Sequence, residues 1–163
     1  MDQRSGYGLR METPPLIAWS ETFTVGHKGL DAEHQYLIGV INKIDAAERA
    51  KQPPTQFEPL FDALRLATEN HFRHENSILR EISGSAESYQ KDRPHFLKAM
   101  SDAILDEHFT HHAQELSKLE SIIRAFQSRA GSAQSTLSND LKDWFLEHVI
   151  KYDAHLKSVF QAM

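Results

Sequence analysis

Residues 64–82 read LRLATENHFRHENSILREI, and the fold turns on how that stretch is phased. Leu64, His71, Glu75, Ile78 and Ile82 follow one another at seven, four, three and four residues, the period of an α-helix and not the alternation of a strand. With Leu60 they predict a helix that begins near Thr55 to Pro59, through a capping box from Thr55 to Glu58 or with Pro59 in its first turn. Gly84 is the predicted stop. The HFRHE at the middle of the stretch raises a second question. Crowded ionisable side chains usually form a solvated face, yet His71 and Glu75 lie on the apolar stripe itself, and His74 is one step off it.

The same period recurs on either side. Leu37, Ile38, Ile41 and Ile44 mark a helix from about Asp31 to Ala50, ended by Pro53 and Pro54. Leu116, Leu119 and Ile123 mark a third from Ile104 to about Phe126, closed by Gly131. A fourth starts near Ser135 and runs to the end through Leu141, Phe145, Val149, Leu156 and Phe160. Four amphipathic helices on short connections bury their stripes only against one another. The predicted fold is therefore all-α: an antiparallel up-and-down four-helix bundle over residues 19–163, with an N-terminal arm and a tail over residues 1–18.

Composition narrows the chemistry. The 163 residues suit one domain and carry a net charge of −5, with scattered Lys and Arg, which argues against nucleic acid as a partner. No apolar run is long enough for a membrane span or a signal peptide, so a cytoplasmic location is the expectation. There are no cysteines, so any metal must be held by nitrogen and oxygen. Ten histidines are present, and histidine is the commonest metal ligand.

Helical phase decides which of them face inward. His34 shares the face of Ile38. His108 and His112 lie in phase with Leu116, Leu119 and Ile123, whereas His111 points sideways. His148 follows Leu141 and Phe145, and Asp153 stands five residues later, about 500° round a regular helix, so it must approach from the flank. In an antiparallel bundle the start of the first and third helices and the end of the second and fourth share one end. His34, His71, Glu75, His108, His112, His148 and Asp153 thus converge in depth as well as direction. Burying so many unpaired polar groups costs several kcal/mol each unless something satisfies them, and a metal does. Seven nitrogen and oxygen ligands exceed one tetrahedral zinc and suit two six-coordinate ions, most naturally iron. Two such ions sharing five imidazoles, two bridging carboxylates and one bridging hydroxide keep a single position for a small diatomic molecule.

From Trp19 to Asp153 the chain resembles the hemerythrins, and among them the bacteriohemerythrins. The likeness is carried by WSETFTVGHKGLDAEH at 19–34, HFRHE at 71–75, HFTHH at 108–112 and WFLEHVIKYD at 144–153. The resemblance implies a non-haem centre of two iron ions bridged by a hydroxide or oxo group. His108, His112 and His148 would hold the six-coordinate iron, His34 and His71 the open one, and Glu75 and Asp153 would bridge. It also implies that His74 is no ligand, that Trp144 and Phe145 wall the pocket, and that the protein binds dioxygen reversibly and is not an enzyme. The alternatives are a di-iron enzyme acting on peroxide or nitric oxide, or a sensor module signalling through a separate partner. No E-x-x-H motif of the ferritin-like oxidases occurs. His27, His95 and His155 are surface residues or partners that orient the ligands.

The chain departs from the resemblance between Glu75 and His108. Residues 83–104 read as an insertion, a polar SGSAESYQKDR followed by Pro94 and HFLKAMSDAIL, whose Phe96, Leu97, Met100 and Ile104 form an apolar stripe of their own. The stripe suits a lid over the metal end, an extension of the third helix, or a contact with a second copy or another protein partner.

Overall fold

The computed structural model describes residues 13–88, 102–128 and 136–160. The chain approaches the bundle through an arm that is pinned at two places. Ile17, assigned to the tail on sequence, is buried, and its N–H and carbonyl both bond to the side-chain amide of Asn42 at 2.9 and 2.8 Å. Ser20 then caps a 3₁₀ turn over Glu21–Phe23, and Asp31 collects the Thr24 hydroxyl and the Val25 N–H. Gly26 supplies the positive φ, 84°, that turns the chain into the first helix.

Helix α1 covers Lys28–Arg49, with the His27 imidazole accepting the Leu30 N–H in place of the usual Ser or Asp cap. Helix α2 covers Glu58–Ser88, with Pro59 in its first turn, where a missing N–H costs nothing. It does not stop at Gly84. A lone glycine is tolerated within a helix at about 1 kcal/mol. Helix α3 covers Asp102–Ser128 and α4 covers Leu137–Glu147. The fourth segment is not one helix, as its sequence led us to expect. A π-helical turn, His148–Tyr152, follows α4, then a 3₁₀ turn, Asp153–His155, and a short helix α5, Leu156–Phe160. The centre of the predicted insertion, residues 89–101, and Gly131 lie outside the described residues; residues 83–88 belong to α2 and 102–104 to α3.

Side-chain pairs give the register. Glu58, Arg65 and Asn76 on α2 meet Gln127, Glu120 and His112 on α3, so the two run in opposite directions. Glu48 at the end of α1 takes the N–H and hydroxyl of Ser138 at the start of α4, and His34 near the start of α1 meets Asp153 beyond its end. Each of the four helices packs on two others, α1 on α2 and α4, α3 on α2 and α4. The result is an antiparallel four-helix bundle, with no strand among the described residues. Its apolar half is built from Ile41, Ile44, Phe61, Leu64, Leu119, Ile123 and Leu141, all at most 1% exposed, and closed by the rings of Phe57, Phe61 and Phe126. Each such side chain contributes roughly 1.5–3 kcal/mol on burial. No described helix is long and apolar enough to cross a membrane.

Candidate metal centre

Above that apolar half the inward positions become polar. His34, His71 and Glu75 are fully buried, and His112, His148 and Asp153 are at most 2% exposed. His108 is more open, its side chain 12% exposed. The structure brings all seven side chains into one contact network. His34 Nε2 lies 3.2 Å from His71 Nε2 and 3.0 Å from Asp153 Oδ2, while Asp153 Oδ1 lies 3.1 Å from His148 Nε2. Glu75 reaches His112 Nε2 with Oε2 at 3.1 Å and His108 Nε2 with Oε1 at 3.4 Å, and His71 Nε2 is 3.8 Å away. Two groups bring their donor atoms within 4.8 Å of one another: His71, Glu75, His148 and Asp153, and Glu75, His108 and His112. Glu75 belongs to both.

Asp153 takes part because of the π turn. Its N–H bonds back to the His148 carbonyl, five residues earlier, which widens the turn. One wider turn therefore returns residue i+5 to the face of residue i, so Asp153 arrives beside His148 on the same strip and not from the flank. A regular helix through these residues would have aimed it away.

The imidazoles are held from behind. His34 Nδ1 donates to the Phe23 carbonyl at 3.2 Å, which fixes the arm's role: it supplies one backbone acceptor at the required place. His71 Nδ1 donates to Glu33 at 3.0 Å, and His112 Nδ1 to the Asn76 side-chain oxygen at 2.9 Å. With Nδ1 engaged as a donor, the Nε2 position turns to the centre, the arrangement found behind metal-bound histidines. Neither Glu33 nor Asn76 is signalled by the sequence, since each sits off the apolar stripe; only adjacency to His34 and to Glu75 could have drawn attention to them. Glu33 also takes His74 Nδ1 at 2.7 Å, so His74 is a neighbour of a ligand's partner, away from the centre and 38% exposed along its side chain. His27 caps α1, and its ring packs edge-on against that of His74. The side chain of His155 and all of His95 lie outside the described residues.

Apolar rings enclose the network. Phe145 meets His34 and Phe23 edge-on, with centroids 6.2 Å apart in both pairs. Phe72 stacks flat on His112 at 4.0 Å and leans on His148 at 4.8 Å. Phe72 and Phe23 have no sequence signal beyond hydrophobicity. Trp144 is buried, but its indole N–H donates to the Glu115 carbonyl at 3.2 Å, which turns it towards α3. His111, which points sideways from the stripe of α3, is nevertheless buried. It is 7% exposed and stacks on Tyr152, because α4 and its π turn cover the flank of α3 that a lone helix would leave open.

The electrostatics fit a cation. Burial and the charge of Asp153 both oppose ionisation of Glu75, yet contacts with His108, His112 and His71 outweigh them and hold it at about 2. Burial likewise works against Asp153, and His148, His34 and His71 hold it well below the usual carboxylate range. Burial would push His71 down, but Asp153 and Glu33 bind it and, with Glu75, lift it to about 10. A proton on His71 Nε2, 3.2 Å from His34 Nε2 and 3.8 Å from oxygens of Glu75 and Asp153, stands where a cation would bring stronger positive charge. His112 goes the other way, lowered by burial despite Glu75. Both oxygens of Glu75, Oδ1 of Asp153 and the Nε2 atoms of His108, His112 and His148 are buried with no hydrogen-bond partner among the described residues. Orphaned acceptors on imidazole and carboxylate, all facing one space, fit a metal held by nitrogen and oxygen.

The family model for the hemerythrin HHE cation binding domain matches residues 25–159. The chain belongs to the hemerythrin family. That match begins after the arm that carries Trp19 and Phe23 and reaches past Asp153, so all seven residues of the hemerythrin-type centre fall inside it. No curated protein and no solved structure gives a significant match. Family membership makes this a cation-binding helical domain, in agreement with the clustered donors.

Proposed function

We propose that the chain binds dioxygen reversibly at a non-haem di-iron centre, as a carrier, store or sensor and not as an enzyme. The observation that carries this reading is that both carboxylates lie between the two sets of imidazoles. Asp153 presents one oxygen to His34 and the other to His148, and Glu75 presents Oε1 to His108 and Oε2 to His112, with His71 Nε2 3.8 Å from Oε2. Carboxylates so placed suit a bridge between two adjacent ions, with His108, His112 and His148 on one and His34 and His71 on the other. Bound ferrous ions would supply the electrons that make oxygen binding strong at a single free position.

The protein's own groups do the rest. The Phe23 carbonyl, Glu33 and Asn76 hold three imidazoles in orientation. Phe23 and Phe145 cover the His34 side and Phe72 the His112 and His148 side, limiting the water and protons that would turn binding into net oxidation. With three imidazoles for one ion and two for the other, a free position would fall on the side of His34 and His71, where the Phe145 ring stands edge-on to His34.

The test is to load the full chain with iron, reduce it without air and admit oxygen. A visible charge-transfer band that appears on oxygenation and vanishes on deoxygenation supports the proposal. A band that never reverses, or sustained consumption of peroxide or nitric oxide with an added reductant, replaces it with the enzymatic reading.

A further inference from the structure

Behind the centre, between α3 and the π turn, three buried polar atoms have no hydrogen-bond partner among the described residues: Nε2 of His111, Oε2 of Glu115 and Nδ1 of His148. Their residues are 7%, 5% and 2% exposed. His111 and Glu115 are four residues apart on one face of α3, with His111 Nε2 3.9 Å from Glu115 Oε1. The His111 ring lies parallel to that of His148, centroids 5.9 Å apart. The Glu115 backbone is tied to Trp144, one turn before His148 on α4, and Tyr152 closes the outside by stacking on His111. Orphaned buried polar groups are rare because each forfeits its solvation, and three together on facing helices need a shared satisfier. A single water with two to four polar neighbours is the usual one.

The contrast with the other imidazoles sharpens the point. His34, His71 and His112 each have an Nδ1 acceptor at 2.9–3.2 Å, whereas His148 has none in direct contact. We propose that Glu115, with His111, is a positioning residue for His148, accepting its Nδ1–H through one ordered water held between the carboxylate and the His111 ring. The pair thus does for His148 what Glu33 does for His71. It does so from an H-x-x-x-E spacing, His111 to Glu115, that repeats the His71 to Glu75 spacing without contributing to the centre. The proposal rests on cation binding at His148 but not on dioxygen chemistry.

The test therefore uses zinc-loaded full-length protein labelled with nitrogen-15 at histidine, in which the tautomer and ring N–H exchange of each imidazole are read by NMR. In the unaltered chain His148 should carry its proton on Nδ1 and exchange it slowly. Glu115→Leu should speed that exchange at least tenfold and weaken binding of the metal about 10–100-fold in chelator competition. The His34, His71 and His112 signals should stay in place. Glu115→Gln, which keeps the shape and an acceptor oxygen, should fold as the parent does and restore slow exchange with a shifted Nδ1–H resonance. If Glu115→Leu does not fold, the Gln variant and His111→Leu decide by the same signal. An His148 Nδ1–H unchanged in every folded variant, or a His148 proton found on Nε2 in loaded protein, overturns the proposal. Because zinc binds no oxygen, neither outcome depends on the oxygenation experiment.

Discussion

The two ends of the bundle use the same helices to opposite effect. At one end Ile44, Phe61, Leu119, Ile123 and Leu141 pack apolar against apolar, and removal from water stabilises every contact. At the other, about two to four turns away along the chain of each helix, His34, Glu75, His112 and Asp153 are buried just as completely. There desolvation opposes folding, and only mutual hydrogen bonds, a proton on His71 or a bound cation offset it. The apolar end folds the chain; the polar end makes part of its stability conditional on what is bound.

The largest expected effect breaks the apolar end alone. Phe61→Ala should cost about 3–5 kcal/mol in denaturant unfolding, and nearly the same with and without metal, because the ring is remote from the carboxylates. Removing metal from the unaltered protein should cost up to about 4 kcal/mol, the stabilisation given by free metal at a thousandfold excess over Kd. Thermal unfolding with increasing chelator checks it, and a melting temperature indifferent to chelator would erase the contrast between the two ends.

The pH dependence of metal-free protein separates the ends further. His71, raised to about 10, adds stability that is complete below its unfolded value near 6.5 and lost as pH climbs from there towards 10. Glu75, held at about 2, adds stability that is complete above about 4.5 and lost as pH falls towards 2. His112, lowered by burial, subtracts stability as pH falls below about 6.5, so metal-free protein should be most stable near pH 6.5 and weaken on either side. In metal-loaded protein the alkaline loss should vanish, because the cation and not a proton then holds His71. Unfolding free energies measured across pH 3–10 in both forms test this.

The smallest effect concerns orientation. Asn76→Leu removes the acceptor of His112 Nδ1 and should weaken metal binding by about tenfold or somewhat more, with little change in the apolar end's stability. Competition against a chelator reads the first, and unfolding of metal-free protein the second.

Six of the seven clustered residues could be read from phase and depth because side chains on helices inherit the helical period, as His71 and Glu75 inherit that of Leu64; Asp153 was out of phase, and depth alone placed it. The groups behind them could not. Glu33 and Asn76 lie off the stripe, Phe23 acts through its backbone carbonyl, and His111 is buried only because the π turn lies against it.

By itself, then, the sequence determined an all-helical bundle and the identity of the clustered histidines and carboxylates, because apolar period and residue type are local properties. Only the tertiary structure decided how Asp153 comes to face inward, through a widened turn whose pitch no spacing rule reports. It alone also decided which neighbours hold each imidazole, since a hydrogen bond between helices depends on their register and rotation, and those follow from the packing of the whole core.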